Sequence, residues 1–144
     1  MPHAEKIDAL IATVRELNHT LRPMISNVPG GGDGVSRQVH PILGQMRDLE
    51  LGAALRIQAM VVSEQLARDE KYRMPLDEIG TRSLLSEFGT AREAVLASLQ
   101  QLPDAQWDEA HETADGNVTV SSVVDELIAS DETALAQLKQ LAAV

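Results

Sequence analysis

The 144-residue chain carries 22 acidic against 12 basic residues, a formal charge of −10, with 44% hydrophobic and 24% charged residues. That balance fits one globular domain covering residues 1–144 and excludes wholesale disorder, while the negative charge argues against nucleic-acid binding and against adsorption to anionic lipid. Cysteine is absent and only Tyr72, Phe88 and Trp107 are aromatic, so disulfides, thiolate chemistry and base-stacking platforms are excluded and the core is expected to be aliphatic.

The N-terminal stretch has no apolar leader, and uninterrupted aliphatic runs are as short as Ala59-Met60-Val61-Val62, so a cytoplasmic protein without a membrane span is expected. Ile7, Leu10, Ile11, Val14, Leu17, Leu21 and Ile25 recur at three-and-four spacing and predict a first helix over about 4–25, kinked or stopped early at Pro23. The glycine run Pro29–Gly34 reads as a flexible turn without a phosphate-binding signature. A second helix is predicted to start between Ser36, an N-cap candidate, and Pro41, and to run to about Ala67 on the stripe Ile42, Met46, Leu49, Ala53, Ile57, Met60. Its Gly44 and Gly52 either admit a close neighbour or are simply tolerated.

Residues 68–79 read as a charged connection, and Leu84, Leu85, Phe88, Ala91, Val95, Leu99 and Leu102 mark a third helix over about 81–102, closed by Pro103. An acidic loop around Trp107 leads through Asp115-Gly116-Asn117 to Thr119, the N-cap candidate of a last helix built on Val120, Val123, Val124, Leu127, Ala134 and Leu138. Four such stripes and no alternating strand pattern predict an all-α four-helix bundle.

Two stretches resemble the DinB/YfiT family of four-helix bundles. Val35-Ser36-Arg37 through Ile42-Leu43-Gly44-Gln45-Met46-Arg47-Asp48-Leu49-Glu50 is similar to the family pattern of a serine opening helix two, an apolar pair, a histidine and an acidic pair. Val118-Thr119-Val120 through Asp131-Glu132-Thr133-Ala134-Leu135-Ala136-Gln137-Leu138 is similar to its last helix, where histidines precede a Leu-x-Gln-Ile/Leu ending. The resemblance covers about residues 5–142. It implies an up-down-down-up bundle with a long connection between helices two and three, a homodimer, and a three-histidine divalent-metal site. Carried onto this chain, that site falls at Gln45, Ser130 and Ala134, none of which is histidine.

Ala134 has no donor atom and Ser130 offers only a weakly basic hydroxyl, so no cofactor or metal is assigned and the site reads as vestigial. His3, His19, His40 and His111 fall on separate segments with no i, i+3 or i, i+4 pair. His111 among Glu109, Glu112 and Asp115 reads as part of a solvated acidic loop, with an oxygen-and-nitrogen metal site as the alternative. Asp131 is read as an edge of the cavity the histidines would line, against a marginal ion pair or cap, and Gln45 and Glu50 point in widely different directions around their helix. Partial collapse of the vestigial site is expected, with Met46, Leu49, Leu127 and Leu138 filling it. The reading that results is a non-catalytic small-molecule-binding or interaction module. The alternative is a divalent-metal-dependent thiol transferase or hydrolase with ligands relocated to His40, His111, Glu50 or Asp131.

Overall fold

The computed structural model describes residues 2–61, 76–113 and 116–142. Helix α1 (His3–Glu16) passes into a π-helical turn (Leu17–Leu21) and a 3-10 turn (Arg22–Met24). Helix α2 (Gly34–Val61) and α3 (Thr81–Gln101) follow, then the short α4 (Asp104–Trp107), a hairpin of β1 (His111–Thr113) and β2 (Gly116–Val118), and α5 (Val120–Ala142). The all-α expectation holds, and the described chain is mostly helical. Strands of three residues are too short to show alternation, which is why the antiparallel pairing of His111 with Val118 is not visible in the sequence pattern.

The first stripe is continuous to Ile25, yet α-helical geometry ends at Glu16, seven residues before Pro23. The π turn keeps Leu17 and Leu21 buried while the hydrogen-bond pattern widens, so the apolar spacing survives a change of helix type that it cannot report. Helix α2 starts earlier than either of its two expected signals. Pro41 lies inside it rather than in its first turn, and Ser36 is buried rather than capping. The expected end near Ala67 and most of the 68–79 connection lie outside the described residues. Helix α3 takes its expected bounds within a residue. At α5, Thr119 caps as its position predicts: its hydroxyl accepts from the Ser122 N–H (3.0 Å), while the Ser122 hydroxyl accepts from the Thr119 N–H (3.0 Å), a reciprocal capping box.

Helix α2 packs against α3 and α5, and α1 packs against the same two. Two apolar clusters fill the interior. One, around Leu10, Ile57, Val95, Leu99, Trp107 and Val124, lies toward α4 and the hairpin; the other, around Leu17, Ile25, Leu43, Leu85, Phe88 and Leu138, lies toward the π turn. Trp107 is 1% exposed and stacks on the His3 ring at a centroid distance of 4.2 Å, which joins the start of α1 to α4.

The glycine run is a packed turn rather than a free one. Gly30 N–H donates to the Ile79 carbonyl (2.9 Å) and Pro29 bridges to Gly80. Gly31 is buried at φ +100°, where a Cβ would stand 3.0 Å from both the Arg37 Cα and the His40 Cβ. Nearby, a buried polar network pins the entries to α2 and α3. The Ser36 hydroxyl accepts from the Ser26 N–H (3.1 Å) and donates to the Thr81 hydroxyl (3.0 Å). Thr81 Oγ1 is 2.9 Å from His40 Nδ1, and His40 Nε2 is 2.8 Å from the Leu76 carbonyl. A carbonyl can only accept, so Nε2 carries the proton and Nδ1 accepts from Thr81 in the neutral ring. This network anchors the first turns of α2, where Pro41 leaves one helical acceptor without its donor.

Candidate functional site

Three charged residues sit on buried stripes of three different helices. Glu50 follows Met46 by four and precedes Ala53 by three; Arg92 stands in the same relation to Phe88 and Val95, and Asp131 to Leu127 and Ala134. Helical periodicity therefore aims all three side chains inward, each between residues of the two apolar clusters. Exposure is 1% for Glu50, 0% for Arg92 and 5% for Asp131. Such groups persist in an apolar interior only when paired and hydrogen-bonded.

Arg92 satisfies that condition completely. Its Nε and one terminal nitrogen grip Glu50 (2.5 and 2.9 Å), both terminal nitrogens grip Asp131 (2.9 Å each), and the remaining N–H donates to the Leu10 carbonyl (2.9 Å). All five guanidinium donors are used. The Phe88 ring lies under the cation with its centroid 4.9 Å away. One residue of α3 thereby joins α1, α2 and α5 at a single point. Burial pushes the Glu50 carboxyl above the usual carboxylate range; the bonds to Arg92 and its charge offset only part of that, and Asp131 adds to the rise. Arg92, held by both carboxylates, is driven further toward its charged form despite burial.

Beside this cluster α2 and α5 part to leave a cleft of about 380 Å³. Its α2 wall is Ile42, Gln45, Met46, Leu49 and Glu50, and its α5 wall includes Leu127, Ser130, Asp131, Thr133, Ala134 and Gln137. Gln45, Ser130 and Ala134 thus share one cavity with Asp131. The separate directions expected for Gln45 and Glu50 do not keep them apart: Met46 and Leu49 make the wall continuous, with exposed Gln45 at the mouth and buried Glu50 at the floor. Collapse does not occur either. Met46 and Leu127 line the cavity instead of filling it, Leu49 is 46% exposed at its edge, and Leu138 belongs to the core rather than to the cleft.

The donor set does not fit the metal that the resemblance implies. Ala134 offers no ligand and Gln45 and Ser130 offer only neutral oxygens, so the three positions supply neither an imidazole nor a charged ligand. Of the relocated candidates, Glu50 and Asp131 meet at Arg92, but neither histidine joins them. His40 is bonded through both ring nitrogens at Thr81 and Leu76, His111 is on β1, and Asp115 lies outside the described residues. Among the described residues no group of three or more histidine, aspartate or glutamate side chains is arranged to hold a metal.

Sequence reasoning singled out Glu50 and Asp131 but missed Arg92, the residue that decides their role. The signal was present: charged residues of opposite sign on the apolar stripes of three helices. Compared with family models, with curated proteins and with solved structures, the chain matches none. No helix among the described residues is long and apolar enough to cross a membrane.

Proposed function

We propose that the chain is a small-molecule-binding module that uses the α2–α5 cleft, built on a DinB-like four-helix bundle whose metal positions have become Gln45, Ser130 and Ala134. The observation that carries this reading is the cleft itself, a concave site of ligand size lined by apolar and polar side chains in equal share, with Glu50 and Asp131 paired to Arg92 at its floor. Helix pairing supports the bundle: α1 and α2 each pack on α3 and α5, as corners of a four-cornered arrangement do. The up-down-down-up order, with its long connection after α2, belongs to the proposal. So do a cytoplasmic location and a homodimer, for which Leu55 and Val61 on α2, 42% and 39% exposed, supply apolar surface.

Two measurements test the reading. A fragment screen by amide-shift mapping is expected to place hits on 42–50 and 127–137, and Ala134→Trp, which fills the cleft, to abolish them. Elemental analysis of untagged protein is expected to find no stoichiometric nickel, zinc, iron or manganese; finding one of these sinks the metal-free reading. Restoring histidine at all three positions (Gln45→His, Ser130→His, Ala134→His) checks the correspondence with the family: a folded variant that gains no divalent-metal affinity refutes it. A monomer mass by light scattering at tens of micromolar counts against the dimer.

A further inference from the structure

Resting on the reading of the cleft as a ligand site, we infer that its ligand is a small organic monoamine: a single ammonium head seated at the Asp131–Glu50 floor, a short hydrocarbon body, and no carboxylate. The cavity supports this through what it offers and what it withholds. Among the described residues its only charged lining side chains are the two carboxylates, and Arg92, which neutralises one charge of the pair, does not line it. Every N–H of Arg92 is already committed, so no cationic donor is left for an incoming anion.

Each carboxylate, by contrast, has acceptor sites beyond the two that Arg92 occupies. Asp131 is the more accessible of the two, with its side chain 8% exposed against 1% for Glu50. An ammonium head brings three donors and the charge that this floor lacks, and partial burial strengthens the attraction relative to water. Ile42, Met46, Leu49 and Leu127 give the walls apolar surface for a short hydrocarbon body. At the mouth Gln45 and Gln137 are uncharged, so among the described lining residues a second ammonium or an amino-acid carboxylate finds no partner of opposite sign there.

The test is an NMR titration of the isotope-labelled full chain with butylammonium chloride, butanol and sodium butyrate at matched pH and ionic strength. Butylammonium is expected to shift amides of 45–50 and 130–134 at concentrations at least about tenfold below butanol, and butyrate to leave them unmoved. Asp131→Asn is expected to erase the preference for butylammonium. Because that substitution disturbs the Arg92 bonds, Ser130→Lys serves as the second variant: it adds a cation to the cleft wall with the buried charges intact, and is expected to abolish butylammonium binding. Butanol binding as tightly as butylammonium overturns the monoamine inference and leaves the small-molecule reading standing. Butyrate binding more tightly, or a preference that survives both variants, overturns it as well. Silence from all three probes overturns it too, and the fragment screen then decides the cleft reading separately.

Discussion

Near Gly80, Ser26, Ser36, Thr81 and His40 pass hydrogen bonds between hydroxyls, an imidazole and the Leu76 carbonyl; halfway along the helices, Glu50, Arg92 and Asp131 bury three charges. The first cluster closes on itself and joins chain segments entering helices. The second joins helix interiors and lies against an open cleft. A neutral network with every group paired stabilises modestly and is expensive mainly to break. A buried charge cluster adds little net stability over apolar packing, yet leaves a strongly destabilising remnant when one member is lost.

The largest expected effect comes from Arg92→Met. It strands two carboxylates in the interior and is expected to lower unfolding free energy by about 3–5 kcal/mol in urea denaturation. Replacing all three charges with apolar side chains (Glu50→Leu, Arg92→Met, Asp131→Leu) is expected to recover most of that loss; a triple variant as unstable as Arg92→Met breaks the comparison. Thr81→Val probes the neutral cluster. It deprives His40 Nδ1 of its hydroxyl donor and the Ser36 hydroxyl of one of its partners, and is expected to cost about 1–3 kcal/mol in the same assay.

The pH response separates the clusters further. Because the folded state raises the Glu50 carboxyl above its ordinary 4.5, the protonated form favours folding. That contribution is complete below the unfolded value and is lost as pH rises through the folded one. Wild type is therefore expected to lose stability over that interval, and Glu50→Gln, unable to ionise, to lose less. Parallel denaturation midpoints for the two proteins as pH rises above 4.5 would remove Glu50 from the account. The smallest effect is expected from Leu55→Ser on the exposed face of α2: within about 0.5 kcal/mol in a monomer, and a dilution-sensitive loss if that face meets a second copy.

Much of the helical framework was legible because buried stripes repeat with the helix period, and α3 and the Thr119 cap fall where their residues predict. Helix type was not legible at Leu17–Leu21, since three-and-four spacing serves α and π turns alike. Nor was the start of α2, where Ser36 and Pro41 are local signals overruled by contacts with Ser26, Thr81 and Leu76, segments distant in sequence. At the cleft, it was the family resemblance, not the residue pattern, that led Gln45, Ser130, Ala134 and Asp131 to be expected in one region. The role of Asp131 depends on Arg92, 39 residues away; helical periodicity places both on buried stripes but does not say which buried charges pair.

The midway position of the Arg92 cluster gives the molecule a registration mark. Sliding α3 by one turn, about 5.4 Å, would carry its guanidinium off the level of Glu50, Asp131 and the Leu10 carbonyl and into the aliphatic layers above or below. Leucine and valine layers tolerate such slippage, since one aliphatic contact resembles the next. A five-donor fork has one matching level, so the cluster sets the helices' axial alignment even where it adds little to their cohesion.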